Sequence, residues 1–129
     1  MRPHIEATLK VTIITPAVNQ IEFHPYLQRA DDYVTWLMSR SSLWFQAAGS
    51  HPGRSRGPSN AVVDRIVRTH GVLVESVLIR WHVQKSVVPI TTTAKQGRLD
   101  KYLEATQLEL SDGEMEEITT VGLSRHYRN

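Results

Sequence analysis

Short apolar runs alternate with amphipathic stretches along the chain, and each pattern predicts its own element. Ala17, Val18 and Ile21 form the apolar part of a short buried strand. Pro16, which has no N–H, suits the start of that strand, and His24-Pro25 forces an extended, non-helical exit. Upstream, Ile5-Glu6-Ala7-Thr8-Leu9-Lys10 reads as the tail of a helix and Val11-Thr12-Ile13-Ile14-Thr15 as a β-prone connector. Downstream, Asp31 or Asp32 is placed to cap a short helix through Arg40, with Val34, Leu37 and Met38 on its buried side and Trp36 beside them. Ser59 caps a helix running to about His70, with Val62, Val63, Ile66 and Val67 on one side and Gly71 as its stop. Val74, Val77, Leu78 and Trp81 then recur at i, i+3, i+4 and i+7, the spacing of a buried stripe on a helix from Val74 to Gln84. Ser86-Val87-Val88-Pro89-Ile90 is a short apolar strand, followed by a helix that includes Arg98, Leu99, Tyr102 and Leu103. Ser111 and Glu114 form a capping box that opens a last helix, with Met115, Ile118 and Val121 buried and Gly122 ending it. The cationic tail from Leu123 to Asn129 is expected on the surface.

One stretch breaks this rhythm. Residues 39–59, SRSSLWFQAAGSHPGRSRGPS, are rich in Ser, Gly, Arg and Pro and hold only Leu43-Trp44-Phe45 as an apolar run. The composition is that of a loop, at the place where the alternation asks for another buried strand.

Composition narrows the class. The chain has 129 residues, 40% of them hydrophobic and 22% charged, which is the make-up of one globular domain. It holds no apolar run long enough to span a bilayer, its opening residues do not read as a signal peptide, and it has no cysteine, so a cytoplasmic, reducing setting is expected. Fifteen basic residues against thirteen acidic ones, with no basic helix face, do not predict a nucleic-acid binder. The six histidines are scattered rather than paired, so no metal site is predicted. His82 has no carboxylate at i±3 or i±4 to orient it and reads as a partly buried surface histidine rather than a base.

Two places carry candidate chemistry. Asn19 and Gln20 fall near the end of the first strand, where an amide suits recognition of another planar amide such as a nicotinamide carboxamide, or else completes the hydrogen bonding of the local backbone. Thr91, Thr92 and Thr93 leave the last strand just before the helix that carries Arg98. Hydroxyls, free N–H groups at a helix start and a guanidinium make a phosphate site; equally, they are an N-cap threonine and a solvated arginine.

The run Val18-Asn19-Gln20-Ile21-Glu22-Phe23-His24-Pro25-Tyr26-Leu27-Gln28 resembles the sixth-strand segment of the aldo-keto reductases, (β/α)8 barrels that reduce carbonyls with NADPH. Val77-Leu78-Ile79-Arg80-Trp81 with Val88-Pro89-Ile90-Thr91 is similar to their seventh helix and eighth strand, and Leu108 to Glu114 matches them too. The resemblance implies an α/β fold, a partial (β/α)8 TIM barrel comprising the C-terminal half only, because a whole barrel takes about 250 residues. It implies that Gln20 bonds the nicotinamide carboxamide, that the His-Pro-Tyr turn is mainly structural, and that Arg98, with hydroxyls from Thr91, Thr92 and Thr93, contacts the 2′-phosphate side of NADPH. NADP is the implied cofactor. NAD stays open beside it, because Ile90-Thr91 and Tyr102 stand where many members have Lys-Ser and an asparagine.

The family's seventh strand brings an aromatic onto the nicotinamide ring, and no matching motif is found in residues 39–59; Trp44 or Phe45 either takes that role or is a plain aromatic. The stretch is thus an aberrant loop in place of the expected strand. A shifted reading frame or an intron read as coding sequence leaves such a gap, and so does a divergent surface loop; a transcript carrying the segment in frame would establish that it is real. The family's catalytic tyrosine, lysine, aspartate and histidine belong to the front half of the barrel, and Tyr26, Tyr33, Tyr102, Tyr127 and His24 lie in no matching motif, so no catalytic residue is assigned. The expectation is a truncated NADPH-dependent oxidoreductase of aldehydes or ketones, inactive alone. Its rival is a non-catalytic dinucleotide-binding or assembly module that self-associates through open sheet edges.

Overall fold

Three short strands pair side by side, all parallel, in the order β1-β2-β3. The computed structural model describes residues 2–28, 32–40, 43–47 and 59–124. Its elements are α1 (Arg2–Val11), β1 (Val18–Gln20), α2 (Tyr33–Met38), β2 (Leu43–Ala47), α3 (Ser59–His70), α4 (Val74–Gln84), β3 (Val88–Ile90), α5 (Gln96–Glu104) and α6 (Asp112–Leu123). Strands that follow one another in sequence are also neighbours in space, with helices in every connection. That is the winding of a barrel sector, and equally of one half of a doubly wound sheet.

Residues 39–59 are therefore not loop throughout. Leu43–Ala47 is the central strand, with Val18 opposite Leu43, Gln20 opposite Phe45, and Phe45 in turn opposite Val88. Only the apolar triplet pointed to it, because the Ser/Gly/Arg/Pro composition around it outweighs five residues in any sequence window. The side chains of β2, including Trp44 and Phe45, lie outside the described residues, as do residues 48–58, Asp31 and the tail 125–129.

The expectation that β1 is buried also changes. Val18 is 45% exposed, Val88 43% and Ile90 36%, and Gln20 is exposed with them. Registered parallel strands with a period of two put these four residues on one face of the sheet, and all four are exposed there. The core lies on the helical side instead, built from Phe23, Tyr33, Leu37, Val63, Ile66, Val77, Trp81, Val87, Leu110 and Ile118.

Local signals set the helices. The stripe predicted for α4 is seen with the predicted bounds, Val77 and Trp81 fully buried and Val74 and Leu78 half-buried. Gly71, at φ 64°, ends α3 in the left-handed conformation, with the Val72 N–H donating back to the Val67 carbonyl at 3.3 Å. The Ser111–Glu114 capping box opens α6, the Ser111 hydroxyl accepting from the Glu114 N–H and the Glu114 carboxylate accepting from the Ser111 N–H. Several expectations differ. Val11, read as the start of a connector, is the last residue of α1, and α2 ends at Met38 rather than Arg40. Asp32 stands at the N-cap of α2 but makes no side-chain cap bond and pairs with Arg2 of α1 instead. Met38 is exposed, its place on the buried side of α2 taken by Tyr33. Gly122 does not end α6, which continues to Leu123; it is buried against Pro25.

Candidate functional site

The stretch from Phe23 to Gln28 is bolted to two helices, and this fixes the end of β1. His24 and Leu27 close a tight turn, the Leu27 N–H donating to the His24 carbonyl at 2.8 Å. Phe23 stacks on Trp81 of α4 with ring centroids 5.5 Å apart. The buried Gln28 amide donates to the Pro25 carbonyl at 2.6 Å and the Thr119 carbonyl at 2.8 Å, clamping the turn onto α6. Trp81 Nε1 donates to Thr119 Oγ1 at 3.2 Å and completes the triangle. The turn is structural, and Gln20 sits three residues before it.

His82 belongs to this clamp and is fully buried, not a surface histidine. Its Nδ1 lies 2.6 Å from the Leu78 carbonyl oxygen and its Nε2 3.0 Å from the Phe23 carbonyl oxygen. Sequence spacing missed this because Phe23 is 59 residues away. Burial lowers its pKa to about 4, outweighing the Leu78 carbonyl, which favours the protonated ring; the nearby His24 adds a smaller lowering. A ring buried between two backbone carbonyls and held away from solvent is packing, not a general base.

The sign of the pH effect follows from linkage. The unfolded ring takes a proton near pH 6.5 and the folded one near 4, so His82 contributes its full stability above about pH 6.5 and loses it as pH falls toward 4. The slope is about 1.4 kcal/mol per pH unit, or about 2 kcal/mol between pH 6.5 and 5. Urea midpoints at pH 7 and pH 5 are expected to differ accordingly, and His82→Gln is expected to flatten the difference; equal midpoints for the unmutated chain would contradict it.

Gln20 and Thr91–Thr93 lie at the C-terminal end of the parallel sheet, where ligands bind in such folds, and Arg98 follows in the first turn of α5. Gln20 is the last residue of β1, exposed, and its carboxamide makes no hydrogen bond among the described residues. Asn19, its neighbour on the opposite face, has its amide nitrogen buried without a partner among the described residues. Thr91, Thr92 and Thr93 leave β3 at the same edge, with Thr92 exposed and the other two half-buried. Thr93 Oγ1 accepts from the Lys95 N–H at 3.1 Å, which turns the chain into α5. Lys95 is the N-cap and offers no side-chain cap to the first turn of α5, and that turn contains no acidic residue. From the register, Gln20 and Thr91 stand two strands and three residues apart, roughly 14 Å.

Arg98 lies in the first turn of α5 and is not a lone solvated cation. Its Nη2 donates to Glu75 Oε1 of α4 at 3.2 Å. Nothing in the sequence marks Glu75 as part of the site, because 23 residues and a strand separate the two. The donor set suits a dinucleotide: a free carboxamide at one end, and at the other two threonine hydroxyls, unopposed helix N–H groups and a guanidinium. Among the described residues, no cluster of His, Cys, Asp or Glu could hold a metal ion, and no helix is long and apolar enough to cross a membrane.

Residues 48–122 match the Aldo/keto reductase family. The chain belongs to that family. The match begins inside the stretch 39–59, and relatives align well beyond it toward the N-terminus. NAD/NADP-dependent indole-3-acetaldehyde reductase of Schizosaccharomyces pombe is 30% identical over 129 residues, covering 98% of this chain and 45% of its own length. Glyoxal reductase of Bacillus subtilis is 32% identical over 117 residues, covering 89% of this chain and 41% of its own. Among solved structures, a Gox0644 mutant in complex with NADPH superposes with a TM-score of 0.81 at 25% identity, over 94% of this chain and 44% of that one. An aldo-keto reductase from a Medee basin deep-sea metagenome library has the same fold, with a TM-score of 0.81. The aldo/keto reductase chain described here thus spans less than half the length of these relatives, and its three-stranded sheet corresponds to a sector of their barrel.

Proposed function

We propose that this chain forms the dinucleotide-holding side of an NADP-dependent oxidoreductase that reduces aldehydes or ketones to alcohols. The observation that carries the reading is that Gln20 ends β1 and Thr91–Thr93 leave β3 at the same end of one parallel sheet, Gln20 and Thr91 about 14 Å apart, with Arg98 in the first turn of the helix that follows. Gln20 would hold the nicotinamide carboxamide through a donor and an acceptor, and Thr91, Thr92 and Arg98 would hold the adenosine 2′-phosphate. Thr93 shapes the turn that presents them. When bound, NADPH supplies the hydride. The relative from S. pombe carries both NAD and NADP in its name, which supports keeping NAD as the second cofactor.

Neither Tyr26 nor Tyr33 is placed among the described residues to give the carbonyl oxygen its proton. Tyr33 is buried in the core and stacked on Trp36, and Tyr26 stands edge-on to His24 in the clamped turn. We read the chain by itself as a binding unit that does not turn over, which is also the content of the non-catalytic reading. The open apolar face shared by Val18, Val88 and Ile90 supports assembly with another copy as its variant.

Titrating the full chain with NADPH, following cofactor fluorescence, is expected to give saturable binding. Arg98→Ala is expected to weaken it about tenfold or more, with little change for NADH, since a charge-assisted contact to the extra phosphate is lost. Adding a broad aldehyde should consume no NADPH above background. Equal loss of NADPH and NADH in the variant would overturn the assignment of Arg98, and turnover by the chain alone would overturn the binding-unit reading.

A further inference from the structure

The Arg98–Glu75 pair carries a consequence for cofactor choice. Glu75 lies in the first turn of α4, where a carboxylate is favoured by the positive end of the helix. The last turn of α4 is tied to the start of β3 by the Val87 N–H, which donates to the His82 carbonyl at 2.9 Å. The first turn of an eleven-residue helix lies roughly 15 Å away, level with the far end of β3 and the threonines that leave it. The carboxylate is the more enclosed partner, at 18% exposure against 52% for Arg98, so Glu75 holds the guanidinium by one edge. The other donors of Arg98 have no partner among the described residues.

We propose that Glu75 is a specificity-determining residue: by sharing Arg98 and placing a fixed negative charge beside any 2′-phosphate, it holds down the preference for NADP over NAD. The proposal rests on Arg98 as the 2′-phosphate contact. A phosphate oxygen on the free edge of the guanidinium would sit about 6–7 Å from the Glu75 carboxylate. At that distance the repulsion of a phosphate is worth about a two- to fivefold change in affinity at physiological salt, and more at low salt. NAD has no phosphate there and does not feel it.

Glu75→Gln separates charge from position, since the amide oxygen still accepts from Arg98. The test measures binding of adenosine 2′,5′-bisphosphate and of adenosine 5′-monophosphate to the full chain by calorimetry, for the unmutated protein, Glu75→Gln and Arg98→Ala, at low and physiological salt. Glu75→Gln is expected to tighten the bisphosphate about two- to fivefold, to leave the monophosphate unchanged, and to lose part of the gain as salt rises. Arg98→Ala is expected to weaken the bisphosphate. If Arg98→Ala weakens it while Glu75→Gln leaves it the same or weaker, Glu75 does not set the preference. If Glu75→Gln shifts both probes alike, its role is structural and the proposal falls. If Arg98→Ala has no effect, or the unmutated chain binds neither probe, the assignment of the cofactor site itself has failed.

Discussion

Gly122→Ala is expected to destabilise the chain by about 3 kcal/mol or more, because the added methyl has nowhere to go. A Cβ at this position would meet the Pro25 carbonyl oxygen at 2.1 Å, the Pro25 carbonyl carbon at 2.6 Å and the Pro25 Cβ at 2.9 Å. None of these is the far end of a flexible side chain. Relief requires moving α6 off the turn, and the turn is held by Gln28, whose amide bonds both Pro25 and Thr119. The methyl therefore strains the whole clamp. Gly113→Ala in the same helix is the control: a Cβ there meets nothing within 4 Å, and the substitution in the first turn is expected to stabilise by up to about 0.5 kcal/mol through helix propensity. Urea melts of the two variants should move in opposite directions; a Gly122→Ala midpoint equal to that of the unmutated chain would contradict the packing described.

Trp81→Ala is expected to cost about 3–5 kcal/mol, a large part of the 5–15 kcal/mol that holds a typical domain folded. The ring is fully buried, stacks on Phe23, lies under the Lys85 ammonium at 5.1 Å, and donates to Thr119. Its removal leaves a cavity where the β1 turn, α4 and α6 meet, and it strips the support from the turn that follows Gln20. Trp81→Phe keeps most of the volume and the stacking and loses the N–H bond, so about 1–2 kcal/mol is expected from it. Chemical denaturation followed by far-UV circular dichroism measures both; similar losses for the two would place the energy in the hydrogen bond rather than in packing.

The legible parts of this chain were those whose cause lies within a few residues. The stripe Val74, Val77, Leu78, Trp81 and the Ser111–Glu114 capping box are properties of one or two helical turns, and both were seen with the predicted boundaries. Gly71 stops α3 for an equally local reason. Of the candidate site residues, Gln20 ends β1, Thr91, Thr92 and Thr93 leave β3 at the same end of the sheet, and Arg98 lies in the first turn of the helix that follows. The partner of Arg98 was not legible, since no periodicity links a first-turn glutamate of α4 to a first-turn arginine of α5.

By itself, the sequence determined the helices, the turn at His24-Pro25 and the family to which the chain belongs, because these rest on local spacing and on runs of residues that survive without context. Only the tertiary structure decided which side of the sheet is covered, that Leu43–Ala47 is a strand, that His82 is buried, and that Gly122 is a contact rather than a stop. Each of these depends on groups brought together from distant parts of the chain: a strand of five residues is defined by its two neighbours, and the meaning of a glycine by the backbone that approaches it.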